Sequence, residues 1–175
     1  TSAKEGVNFR PELGRLTTIG DFAFSRTAQS SVTLPDSVTT VGEQAFSEST
    51  ALTSFHIGVG VTSFAETALY NDRKIATLTV SADNPVYSAE RNVLYRKADD
   101  GLHLMLSPAA NTLTDYTVRA GTVEIGASAF ANNKMLTRVV LPEGLKVIGD
   151  DAFAGTTALT ELVIPESVER SSGVV

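Results

Sequence analysis

The chain contains no cysteine and no tryptophan, and aromatic side chains make up only 7% of it. Without thiols it cannot be a disulfide-stapled scaffold, hold zinc through thiolates or use a cysteine nucleophile. Basic residues are outnumbered 14 to 20 by acidic ones, for a net charge of −6. That balance, with no basic stripe anywhere, argues against a nucleic-acid partner. No apolar run approaches the ~18–20 residues of a membrane-spanning helix, so no membrane insertion is expected. The amino-terminal "TSAKEGVNFRPE" is polar and lacks the apolar core of a secretion signal, as a mature chain would.

What is present is repetition. "TTIGDFAF" (17–24) returns as "TTVGEQAF" (39–46), "EIGASAF" (124–130) and "VIGDDAF" (147–153), with a worn copy, "SFAETAL", at 63–69. Between these phrases runs a second pattern, apolar-x-x-apolar-x-apolar, often closed by Pro: "LTSFHI", "IATLTV", "LTDYTV", "LTRVVLP" and "LTELVIP", with an imperfect "QSSVTLP" before them. These copies start at 29, 52, 75, 113, 136 and 159, so successive differences are 23, 23, 38, 23 and 23. A fixed period over most of a chain is the signature of a solenoid, in which no coil can bury its apolar edge without neighbours.

The letters of one coil give its physics. In "LTRVVLP", Val139 and Leu141 are two apart and share the inner face of a short strand, while Arg138 and Val140 point outward. Pro142 lacks a backbone donor and closes the strand. In "EGLKVIGDDAF", Leu145 and Ile148 face inward, and Gly149 stands where a side chain would obstruct the backbone. Small Ala152 lets coils approach while Phe153 fills the interior, so Phe24, Phe46, Leu69, Phe130 and Phe153 are expected to form an internal ladder.

The 38-residue interval is 23 plus 15, and the extra length replaces one "IGxxAF" phrase. There "NVLYRK" and "LHLMLS" read as strands joined by the turn signal "ADDG", a β-hairpin at about 84–108 lying across the array and covering the core that the lost phrase leaves open.

These residues resemble the BspA-like leucine-rich repeats of bacterial and protist surface proteins. "LTRVVLPEGLKVIGDDAFAGTTAL", "LPDSVTTVGEQAF" and "LTELVIPESV" carry the resemblance over about residues 13–168, and "NPVYS…NVLYRK…LHLMLSP" is similar to a recurrent variant unit of that family. Many relatives have Cys three residues after the Phe. Here Thr27, Ser49, Asn133 and Thr156 stand there, and their polar groups need backbone partners. The expected fold is one solenoid of leucine-rich repeats over 1–175, about 23 residues per coil. Short parallel strands form a concave sheet, short 3-10 or irregular segments form the convex side, and one β-hairpin is inserted.

The resemblance implies adhesion: a non-catalytic protein-binding module of a secreted or cell-surface bacterial protein, meeting a host or extracellular-matrix protein, or a glycan. The competing expectation is a structural spacer that presents another module. The residues themselves point away from chemistry. "GVGVTS" (58–63) aligns with "PDSVTT" (35–40) and precedes no helix, so it reads as repeat rather than nucleotide loop. His56 and His103 lie far apart without metal-ligand spacing, and neither Asp99-Asp100 nor Asp150-Asp151 has calcium-loop alternation. No catalytic, cofactor or metal residues are assigned, and no enzyme is expected.

The candidate surface is the outward face of the strands: Ser31, Thr33, Ser54, His56, Thr77, Thr79, Asp115, Thr117, Arg138, Val140, Glu161 and Val163. Hydroxyls dominate its first half and charges its second. Arg138 carries the strongest expectation, because Arg is enriched at binding hot spots. The hairpin, with Tyr87, Tyr95 and Arg96 expected on its exposed surface, is the second candidate.

Overall fold

The computed structural model describes residues 16–172, and among these residues the chain forms strands and turns without a helix. The chain divides into two compact units between Ala89 and Glu90. In the first, β1 (Thr18–Ile19), β3 (Thr40–Val41) and β5 (Ser63–Phe64) form one parallel sheet. There β2 (Ser31–Thr33), β4 (Ser54–Ile57) and β6 (Thr77–Val80) form another, and β7 (Tyr87–Glu90) carries the chain out of the unit. In the second unit, β8 (Val93–Ala98), β9 (Gly101–Leu106), β11 (Thr122–Ile125), β13 (Val147–Ile148) and β15 (Arg170–Ser171) lie side by side. Its other sheet is β10 (Asp115–Thr117), β12 (Arg138–Val140) and β14 (Glu161–Val163).

The fold is the expected repeat solenoid, with a second parallel sheet added. Partners lie one coil apart: Val32↔Phe55↔Leu78 in the first unit and Tyr116↔Val139↔Leu162 in the second. All but half-buried Leu162 are fully inside, while the residues on either side of each point out. The phrase "TIG" or "VIG" supplies the added sheet, with Ile19↔Val41↔Phe64 buried in register. Hydrophobic burial along both sheets is the driving force, at roughly 25 cal/mol per Å² of apolar surface removed from water.

The aromatic ladder forms within each unit. Phe24 and Phe46 stack at 5.4 Å with a 13° tilt, and Phe130 and Phe153 at 5.2 Å with 5°. Leu69, in the worn phrase, is buried as well. On either side of each Ala-Phe pair the backbone is left-handed. Phe22, Gln44, Ser128 and Asp151 hold the position two before the ring, and Arg26, Glu48, Asn132 and Gly155 the position two after. These paired corners turn the chain around the ring, at a steric cost of roughly 1–2 kcal/mol for each residue with a Cβ. Gly42 and Gly149 serve a different need, since a Cβ there would meet the backbone of the preceding coil at 2.8 Å (Asp21) and 2.5 Å (Ala127).

The hairpin is β8–β9, turning at Asp99-Asp100 with Ala98 opposite Gly101. It does not simply lie across the coils. β9 also runs parallel to β11, with Leu104 beside Ile125, so the return strand stands where the missing phrase would have placed its own. Ser107 then takes the position of the ladder Phe, donating its N–H to Ala129 O at 2.7 Å as Phe130 does to Ala152 O.

Candidate recognition face

The register aligns the outward residues in rows. Ser31↔Ser54↔Thr77 and Thr33↔His56↔Thr79 line the first unit, and Asp115↔Arg138↔Glu161 and Thr117↔Val140↔Val163 line the second. Each named residue is exposed or half-buried, as expected from its slot in the repeat.

The two faces differ in how much of their chemistry is already used. In the first, the His56 ring lies between Thr79 Oγ1 (2.8 Å from Nδ1) and Ser81 Oγ (3.2 Å from Nε2). Ser81 gives its N–H to Ile57 O, and no carboxylate among the described residues is bonded to the ring. The two hydroxyls therefore fix the orientation of the imidazole. In the second unit, Arg91 Nη1 stands 3.8 Å from Asp115 Oδ2, and Arg138 Nε donates to Glu161 Oε1 at 2.8 Å. Glu161 raises the Arg138 guanidinium above its usual range. Solvent screens both pairs, so they orient the side chains more than they stabilise the fold.

Beside this pair lies a shallow groove of about 180 Å³, lined by Arg138, Val139, Val140, Leu141, Glu143, Glu161, Val163 and Pro165. Val163 is 72% exposed, with exposed Ile164 next to it. In the equivalent positions of the first unit stand Thr33, His56 and Thr79.

The expectation of an exposed aromatic hairpin is overturned. Tyr95 is 0% exposed and Tyr87 3%. A register shift between Leu94 and Tyr95 breaks the strand's alternation, so Val93, Leu94 and Tyr95 all turn inward. Tyr95 Oη lies 2.7 Å from Tyr116 Oη and accepts Arg119 N–H at 3.3 Å, and burial pushes both phenols upward. Tyr87 Oη accepts the N–H of Phe64 at 2.9 Å. Both tyrosines are therefore internal fasteners rather than contact residues. Arg96 is half-buried, with Nη2 2.9 Å from His103 Nδ1, and His103 Nε2 lies 2.9 Å from Asp100 Oδ1. Gly58 and Gly60 of "GVGVTS" approach the backbone of Leu34 and Asp36, where a Cβ would sit 2.7 and 2.0 Å from their carbonyl oxygens. Among the described residues, no group of three or more His, Asp or Glu is placed to hold a metal ion.

Three of the four Cys-position residues have the expected backbone partners. Ser49 Oγ bonds Phe46 O at 2.6 Å, Thr156 Oγ1 bonds Phe153 O at 2.5 Å, and Asn133 Nδ2 bonds Ser107 O at 3.0 Å. Asp72, three after Leu69, belongs to the same ladder and escaped sequence reading because its phrase lacks the Phe. Its Oδ1 accepts the Ser49 N–H at 2.6 Å, its Oδ2 is buried without a hydrogen-bond partner, and desolvation raises its pKa to about 7. The recurrent "Leu-Thr" also has an unread purpose. Thr53, Thr137 and Thr160 donate Oγ1–H to the preceding coil, at Ser30 O (3.0 Å), Thr114 O (2.8 Å) and Thr137 O (3.3 Å).

The model of the BspA-type leucine-rich-repeat region matches in six copies, over residues 14–96 and 109–173. The chain belongs to this family. It superposes on a leucine-rich-repeat protein of Eubacterium ventriosum with a TM-score of 0.79 and 29% identity, over 91% of this chain and 42% of that one. A leucine-rich cell-surface protein of Faecalibacterium prausnitzii gives 0.77 and 32% over 87% and 40%. The pneumococcal vaccine antigen PcpA, at 23% identity and a TM-score of 0.73 over 87% and 44%, shares the fold. The chain thus spans less than half the length of the solved leucine-rich-repeat proteins it matches. No curated protein matches it.

Proposed function

We propose that this chain is a non-catalytic recognition segment of a secreted or cell-surface bacterial protein, and that it holds a protein partner against the open face of its second unit. The observation that carries this reading is the concentration there of Arg138, Asp115, Glu161, Val140 and exposed Val163 on rigid strands. An Arg beside apolar surface is the composition of a binding hot spot. Membership of the BspA-type family and likeness to a cell-surface relative support the location.

The experiment is capture from panels of extracellular-matrix and epithelial-surface proteins, followed by Arg138→Ala with Asp115→Ala. The double variant is expected to weaken the captured partner by about tenfold or more, the scale of a hot-spot loss. Unchanged affinity removes this face from the reading. The first unit favours a second reading, a spacer, because its face carries hydroxyls and His56 in place of the charged rows, and His56 is itself held by Thr79 and Ser81. His56→Ala without effect on any captured partner supports that role for the first unit.

A further inference from the structure

From the groove of the second unit we infer the chemistry of its occupant: an extended protein segment that alternates a cationic side chain with a small aliphatic one. The inference rests on the recognition reading above and deepens it. Three groups in the groove are available at once. Val140 and Val163 offer apolar floor on neighbouring strands, in the row that is hydroxyl or imidazole in the first unit. Arg138 spends Nε on Glu161, which leaves its Nη donors for the backbone carbonyls of an extended chain. Glu143 lines the rim, is exposed and has no ion pair among the described residues.

The rim is also fixed in place. Leu145 N–H returns to Pro142 O at 3.3 Å, Gly144 N–H donates to Ser167 Oγ at 3.1 Å, and Ser167 donates to Leu145 O at 2.8 Å. Glu143 therefore projects from a braced turn. Arg138 and Glu161 neutralise each other, so Glu143 leaves the groove with a net negative charge. An acidic segment would be repelled there, and a wholly apolar one would leave the carboxylate unused. Successive side chains of an extended strand point to opposite faces. With its aliphatic side chains on Val140 and Val163 and its backbone against Arg138, the segment turns its alternate side chains off the floor, and a long cationic one bends back to the rim, where Glu143 has no ion pair among the described residues.

The test uses fluorescently labelled hexapeptides against the intact chain, followed by anisotropy: alternating Lys-Val, Glu-Val and Ser-Val. Lys-Val is expected to bind saturably and the others at least several-fold more weakly. Glu143→Gln, at an exposed position with no ion pair among the described residues, should weaken Lys-Val by about 1.5- to fivefold, the range of an exposed ion pair. Val163→Thr should weaken all three peptides. The proposal is overturned if Lys-Val fails to saturate, if Glu-Val binds as well, or if Glu143→Gln changes nothing. A captured partner that depends on Arg138 but is displaced by Ser-Val or Glu-Val would leave the recognition reading standing while removing this one.

Discussion

Asp72 in the first unit and Asn133 in the second occupy the same step of the repeat, three residues after the ring position, and both are buried. Asn133 is fully engaged: its Oδ1 accepts Ser107 Oγ at 2.6 Å, and its Nδ2 donates to Ser107 O. Asp72 uses one oxygen and leaves the other buried without a protein hydrogen-bond partner. The same backbone corner therefore accepts an amide at little cost and a carboxylate only by favouring its protonated form. Shape, not charge, selects what the corner admits.

The largest effect separates the two aromatic stacks. Phe130 is wholly buried, and Phe130→Ala should cost about 3–5 kcal/mol in urea unfolding, whereas half-buried Phe24→Ala should cost about 1–2. Equal losses would mean that the stacks are not interior to different degrees. Next comes the acid itself. The native state holds a proton on Asp72 up to about pH 7, while the unfolded chain releases it near 3.8. The stability that Asp72 supplies is thus fully present below pH 3.8 and is lost as pH rises to 7. Asp72→Asn should match wild type near pH 3.5 and exceed it by about 1–3 kcal/mol at pH 8, after allowing for screening. A difference that stays flat across that range would show that folding does not shift the carboxyl's pKa.

The corners provide the smallest contrast. Gly155 is left-handed, and a Cβ there would stand 2.7 Å from Asn132 Oδ1, so Gly155→Ala should cost about 1 kcal/mol. Gln44 is left-handed with a full side chain, and Gln44→Gly should gain about 0.5 kcal/mol, the relief of strain less the added chain entropy. Thermal or urea midpoints moving in the same direction for both substitutions would contradict this corner geometry.

Much of this was legible because the strand pattern recurs every 23 residues on either side of the hairpin. Counting from Leu136 placed Arg138 and Val140 outside and Val139 and Leu141 inside, and the structure agrees. The added sheet was not legible, since two-residue strands such as β3 and β13 are too short to show alternation. Tyr95 misled because a register shift cannot be seen in letters that would otherwise alternate. The groove was half visible: Val140 and Val163 could be counted, but the braced turn that presents Glu143 depends on Ser167 in the following coil.

The return strand β9 has a consequence for length. It joins the same parallel column as β11 and β13, while its outgoing partner β8 runs the opposite way. The chain between Ala98 and Gly101 is an exposed turn outside the 23-residue rhythm. Residues could be spliced in at Asp99-Asp100 without shifting any later coil out of step. The molecule carries, in the midst of a metered sequence, one place where the metre is suspended.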